Sequence, residues 1–109
     1  MTTNKQIEEA LVLDGAVEPH SVEAGVAGGE ACAFTCRDPY KDSENEDTVA
    51  LLPYGPAAAV LVVADGAGGL PAGKRASLTA VTTLAASLQS AMDKTTLLRT
   101  AILNGIEAA

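Results

Sequence analysis

Apolar positions are unevenly ordered along this chain. Residues 1–30 hold the acidic stretch MTTNKQIEEA and the glycine-bearing stretches LDGAVEPH and EAGVAGGE, and sustain a period of neither 2 nor 3.6. That pattern predicts an N-terminal arm, frayed or loosely docked, ahead of a domain that begins near residue 31. Residues 31–36 predict a short strand, followed by the polar loop RDPYKDSENED. A second strand is expected from Thr48 to Tyr54, ended by the turn signal Gly55-Pro56. AAAVLVVA then returns as an unbroken apolar run, the pattern of a strand covered on both faces.

Beyond residue 71 the period changes. Leu78, Val81, Leu84, Ala85, Leu88 and Met92 recur at helical spacing, and Pro71 suits a first helical turn, so a helix is expected over about residues 72–92. A second helix should follow MDKTT with Leu97, Leu98, Ala101, Ile102 and Ile106 on its apolar side, and Asp93 is placed to cap a helix N-terminus. The pattern stops at GIEAA inside an amphipathic run, the expected signature of an interrupted domain. A sheet of three strands with two helices would leave apolar surface open to a partner, either the remainder of a domain or a second copy.

The expected hairpin sets the chemistry. Its antiparallel course brings the loop before Thr48 and the loop after Ala64 to one end of the sheet, so Asn45-Glu46-Asp47 lies beside Asp65-Gly66. Three carboxylates, those of Glu46, Asp47 and Asp65, then converge on a glycine-rich turn. Like charges so close are costly unless a cation lies between them, and a divalent ion with oxygen ligands meets that need. Glycine at position 66 leaves the main-chain carbonyl room to turn toward such an ion. A solvated acidic loop, with Asp65 capping a turn, is the plainer alternative.

Composition narrows the choices. The chain has 109 residues, enough for a single domain, and is 48% hydrophobic but 3% aromatic, so its core must be built from Ala, Val and Leu. Its formal charge of −7 argues against nonspecific attraction to nucleic acid or an anionic membrane and accords with cation binding. No leader-like start and no long apolar run is present, which leads to the expectation of a soluble, cytoplasmic protein. Cys32 and Cys36 fall on one strand about 13 Å apart, beyond the roughly 7 Å reach of a disulfide, and are expected to be reduced, buried thiols. With His20 the one histidine, the two cysteines do not make a zinc site.

Gly68 to Lys74 spells G-x-x-x-x-G-K, most of a phosphate-binding loop. Arg75 stands where such a loop carries Ser or Thr for Mg2+, and Asp65 at the entrance would repel an anion. Lys74 and Arg75 are therefore expected to be solvated residues on the first turns of the helix, with nucleotide binding a minor alternative.

The order NEDTV, a hairpin, VLVVADGAGG and then PAGKRAS opening a long helix resembles the first half of the metal-dependent Ser/Thr protein phosphatases, the PPM or type 2C family. The resemblance covers roughly residues 30–109, with Ala67 where the family commonly has methionine. It implies an α+β fold, part of a four-layer α-β-β-α sandwich with antiparallel sheets, residues 31–109 forming its N-terminal portion. It also implies two Mn2+ or Mg2+ ions in the complete domain. Asp65 would bridge the two ions, Gly66 would offer its carbonyl, and Glu46 and Asp47 would hold coordinated waters. Asp65 and Asp47 would then be the catalytic residues, and the substrate a phosphoserine or phosphothreonine protein.

Two departures bear on activity. The family's phosphate-binding arginine lies shortly before N-E-D, whereas Arg37 lies nine residues before Glu46, with Lys41 nearer. The family's two further aspartates have no D-G or D-N counterpart after Asp65-Gly66. These departures predict weak metal binding and little turnover by the chain alone, and leave a noncatalytic phosphatase-like module, bound to a partner through its apolar surface, as the alternative.

Overall fold

A computed structural model describes residues 5–15, 20–40, 42, 44–66 and 72–109. It contains five strands followed by two helices. The strands are β1 (Leu11–Leu13), β2 (His20–Val26), β3 (Gly29–Thr35), β4 (Thr48–Pro53) and β5 (Ala59–Ala64); the helices are α1 (Gly73–Asp93) and α2 (Leu98–Ala108). All strand pairs within the sheets are antiparallel, which makes the class α+β.

β4 and β5 form the expected hairpin, with Thr48 opposite Ala64 and Pro53 opposite Ala59. Its connection is closed by the Tyr54 N–H donating to the Ala58 carbonyl at 2.9 Å, with Gly55 at φ 74°. β1 adds to the other edge of β4, giving a three-stranded sheet of order β1-β4-β5. β2 and β3 form a separate two-stranded sheet.

The three-stranded sheet is the middle layer, because successive residues of β4 feed opposite cores. Ala50 and Leu52 pack with Val81, Leu84 and Leu88 of α1 and Ala101 of α2. Leu51, with Leu13 of β1, packs with Ala24 and Ala33 of the two-stranded sheet. The described layers are thus helices, sheet and sheet, and no second helical layer is found among the described residues.

Helix α1 matches its expected span. Its buried residues Gly73, Ser77, Val81, Leu84 and Leu88 form one stripe, stepping by four or three residues. α2 turns only part of its expected face inward, with Leu98 and Ile102 half-buried beside Ala101. Ala101 and Gly105 are buried, whereas Leu97, Leu103 and Ile106 are exposed. Small residues make this seam because α1 is close: a Cβ at Gly105 would collide with the Leu84 side chain. Asp93 ends α1 and accepts a hydrogen bond from Gln89 Nε2 at 3.2 Å, so it caps no helix N-terminus; Leu97 holds that place on α2.

Three further expectations are corrected. Residues within the expected N-terminal arm form β1 and β2, and the β2–β3 turn is tight, with Ala27 at φ 55° and Gly28 at φ 79°. Two consecutive left-handed residues are the geometry that joins twisted strands, and Ala-Gly carries a fainter turn signal than Asn-Gly. Gln6 reinforces this turn, its Oε1 accepting from the Gly28 N–H at 2.9 Å. β5 is covered on one face only, since Leu61 is 66% and Val63 79% exposed. Cys32 and Cys36 are free, as expected, but Cys32 is exposed on the outer face of β3 and Cys36 is half-buried.

Candidate active site

The end of the sheet where β4 begins and β5 stops gathers the residues that carry chemistry. Thr48 opposite Ala64 fixes this register, so Asp47 and Asp65 leave the sheet side by side. The Asp47 carboxyl lies beside the Asp65 carboxyl and near the Gly66 N–H, and both bear on its protonation. Its pKa is raised above the ordinary aspartate value, first by loss of water around it, then by the neighbouring Asp65 carboxyl and by the charge of Glu46; the Gly66 N–H opposes the shift. Asp47 as a whole stays open to solvent, so the neighbouring carboxylate is the more telling cause.

Gly66 also has a packing role at this site. A Cβ there would lie 2.5 Å from the Glu46 carbonyl oxygen and 2.6 Å from that of Gly73. Glycine is needed because the β4 entry and the start of α1 close around it, and its N–H faces Asp47.

The N-E-D segment is held by buried polar side chains that the sequence motifs did not single out. Asn45 is buried, donates from Nδ2 to Thr35 Oγ1 of β3 at 2.6 Å, and accepts the Asp47 N–H on Oδ1 at 3.1 Å. This is an Asx turn that aims the residue two positions on. From the other side, Ser77 of α1 donates to the Glu46 carbonyl at 2.5 Å. That spends its one proton, leaving the Thr48 hydroxyl as donor in the 2.9 Å contact with Ser77 Oγ. The serine of PAGKRAS therefore has a stated task, to fix the height of Glu46 over the helix.

A second Asp-Gly pair also reaches this end. β1 stops at Leu13, opposite Val49, and Asp14-Gly15 follows. The Gly15 backbone packs so tightly on the Asn45 carbonyl that a Cβ would overlap it, and would meet Lys74 Cε at 2.9 Å. Lys74 is accordingly half-buried, its stem laid toward this edge, whereas Arg75 is exposed as expected. The signal for Asp14 was a D-G dipeptide in a stretch without visible period.

Arg37 follows β3 by two residues and is half-buried at the same end, since Thr35 bonds Asn45. Lys41 and residues 67–71, which include Gly68 and Gly69 of the phosphate-loop pattern and the proline expected in the first helical turn, lie outside the described residues. Tyr40 is 95% exposed, and His20 is an exposed residue at the start of β2.

The donor set can be judged against a divalent cation on its chemistry. Two carboxylates side by side, with a third adding its charge, disfavour the ionised form of Asp47, a cost that a bound cation would relieve. That fits one side of an oxygen-ligand site. Among the described residues, no group of three or more His, Cys, Asp or Glu is arranged to hold a metal ion. Nor is any helix among them long and apolar enough to cross a membrane. In comparisons with known proteins, no family model matches the chain, and no curated protein or solved structure shows significant similarity to it.

Proposed function

We propose that this chain carries one wall of a metal-dependent phosphatase site, in which Asp65, Asp47, Glu46 and the Gly66 backbone serve Mn2+ or Mg2+ and phosphoserine or phosphothreonine proteins are the substrate class. The observation that carries the reading is the Asp47–Asp65 carboxylate pair at the mouth of the β4–β5 hairpin. The resemblance of NEDTV and VLVVADGAGG to the PPM family agrees with it.

A divalent cation bound there supplies Lewis acidity and a lowered pKa for coordinated water. The protein's own part is orientation. Asp65 and Asp47 present oxygens across one gap, the Gly66 N–H fixes the Asp47 carboxyl, and Ser77 with Asn45 holds the segment between them. Arg37, at the same end, is the candidate for a substrate phosphate. With two paired carboxylates the wall holds a cation weakly, and further oxygen ligands must come from beyond the described residues for turnover.

The test is Mn2+ titration of the 109-residue chain followed by NMR. Paramagnetic broadening centred on Asp47, Asp65 and Gly66, removed in Asp65→Ala, is the expected result, with hydrolysis of a phosphoserine peptide near background. Broadening elsewhere, or none at millimolar Mn2+, overturns the reading.

A second reading is a noncatalytic module of the same fold, favoured by the small number of ligands and by the open apolar face of β5. It predicts stable association with a partner and no response to metal. Micromolar ATP binding would favour a nucleotide site instead.

A further inference from the structure

The two sheets do not match in width, and the mismatch has a definite place. The two-stranded sheet packs through Ala24 and Ala33 onto Leu13 and Leu51, with β3 lying over β4. The cross-strand pairs Leu51–Leu61 and Val49–Val63 put Leu61 and Val63 on this same inter-sheet face. Leu51 is 2% exposed and its neighbour Leu61 66%, so cover ends between β4 and β5. The edges of the smaller sheet differ too. β2 is bordered by residues 6 and 7, through the Gln6–Gly25 bridge and the Ile7 N–H donating to the Gly25 carbonyl at 2.8 Å. The outer edge of β3 has no strand beside it among the described residues. Next to that edge is a cleft of about 220 Å³ whose walls include Phe34 and Thr35 of β3 and Val63 of β5.

We propose that this step, the free edge of β3 above Leu61 and Val63, is a docking site for one extended strand of a partner polypeptide, apolar at alternate positions and basic between them. A strand added to β3 would lie over β5, satisfy the exposed backbone groups of the edge, and turn every second side chain onto Leu61 and Val63. The intervening side chains would stand on the outer face beside the exposed Glu30, Cys32 and Phe34, with Asp47 on the wall of the cleft, in a chain of net charge −7. Charge complementarity therefore selects Lys or Arg at those positions. A second copy cannot provide the strand by pairing its own β3 here. Its β4 lies beneath its β3 and would then fall in the space of β5.

The experiment uses a displayed library of nine-residue peptides, apolar at alternate positions and randomised between. Enrichment of Lys or Arg at the randomised positions is expected, with at least tenfold weaker binding to Val63→Lys and unchanged binding to Leu103→Lys. Slowed amide exchange on bound protein should be confined to β3 and β5. Val63 and Leu103 are both largely exposed, so neither variant should unfold the chain, which circular dichroism checks. Failure to enrich any peptide, binding indifferent to Val63→Lys, or sedimentation showing a dimer that Val63→Lys dissociates would each overturn the proposal. The phosphatase reading is untouched by any of these results, since none involves metal.

Discussion

The hydroxyl of Ser77, on the first turns of α1, donates to the main-chain carbonyl of Glu46 at 2.5 Å, so the helix reaches across to hold the entry of β4. Residues 45–48 are thereby pinned on two sides, to α1 through Ser77 and to β3 through the Asn45–Thr35 bond. Asp47, one of the two paired carboxylates, sits in this doubly held segment.

Ser77→Ala leaves the Glu46 carbonyl and the Thr48 hydroxyl without this partner in a buried setting. The expected loss of stability is about 1–3 kcal/mol, the cost of stranding a buried polar group. Urea denaturation measures it, and a change below about 0.5 kcal/mol would show that water takes over the bond. Ser77→Thr keeps the hydroxyl and should recover part of the loss.

Gly66→Ala should be worse. Its Cβ would press on two backbone carbonyls, at 2.5 and 2.6 Å, neither of which can swing aside as a side chain can. Destabilisation of several kcal/mol, or failure to fold, is expected. Gly105→Ala meets the tip of a leucine side chain instead and should cost less. Thermal melts of the two variants compare them directly.

The raised pKa of Asp47 has a definite sign in the metal-free protein. The folded state holds this proton more tightly than the unfolded state, so the contribution is most favourable below the ordinary aspartate value of 3.8 and is lost as pH rises through the folded pKa. At pH 7 the charged pair works against folding. Asp47→Asn should therefore raise the melting temperature at neutral pH, and the gain should disappear below about pH 4. An equal gain at both pH values would place the effect outside the titration.

Thiol labelling separates the two cysteines. Cys32, exposed on the outer face of β3, should react with a disulfide reagent in the native protein well before the half-buried Cys36. Cys32→Ser should remove the fast phase alone. Equal rates would mean that β3 opens on the labelling timescale.

The β4–β5 hairpin and α1 were legible because Gly55-Pro56 marks one turn and the stripe from Val81 to Leu88 repeats at helical spacing. The meeting of Asp47 with Asp65 followed from that hairpin alone. β2 was hidden because its inward residues Val22, Ala24 and Val26 are small, and their alternation is interrupted by Gly25. The exposure of β5 was equally hidden. An apolar run reports a preference for burial and says nothing of whether a covering layer is at hand. Ser77 acts through a contact 31 positions away, Asn45 through one 10 positions away and Gly15 through backbone crowding, none of which the period of apolar residues encodes.

The double pinning of residues 45–48 makes the layer stack and the carboxylate gap parts of one linkage. Sliding the two-stranded sheet against α1 must draw Asn45 one way and Glu46 the other, and so alter the spacing of Asp47 from Asp65. Conversely, a ligand that sets that spacing clamps the stack. Melting temperature and occupancy of the gap should then rise along a common curve, and a strand seated on β3, in a cleft whose wall includes Asp47, would bear on that gap directly.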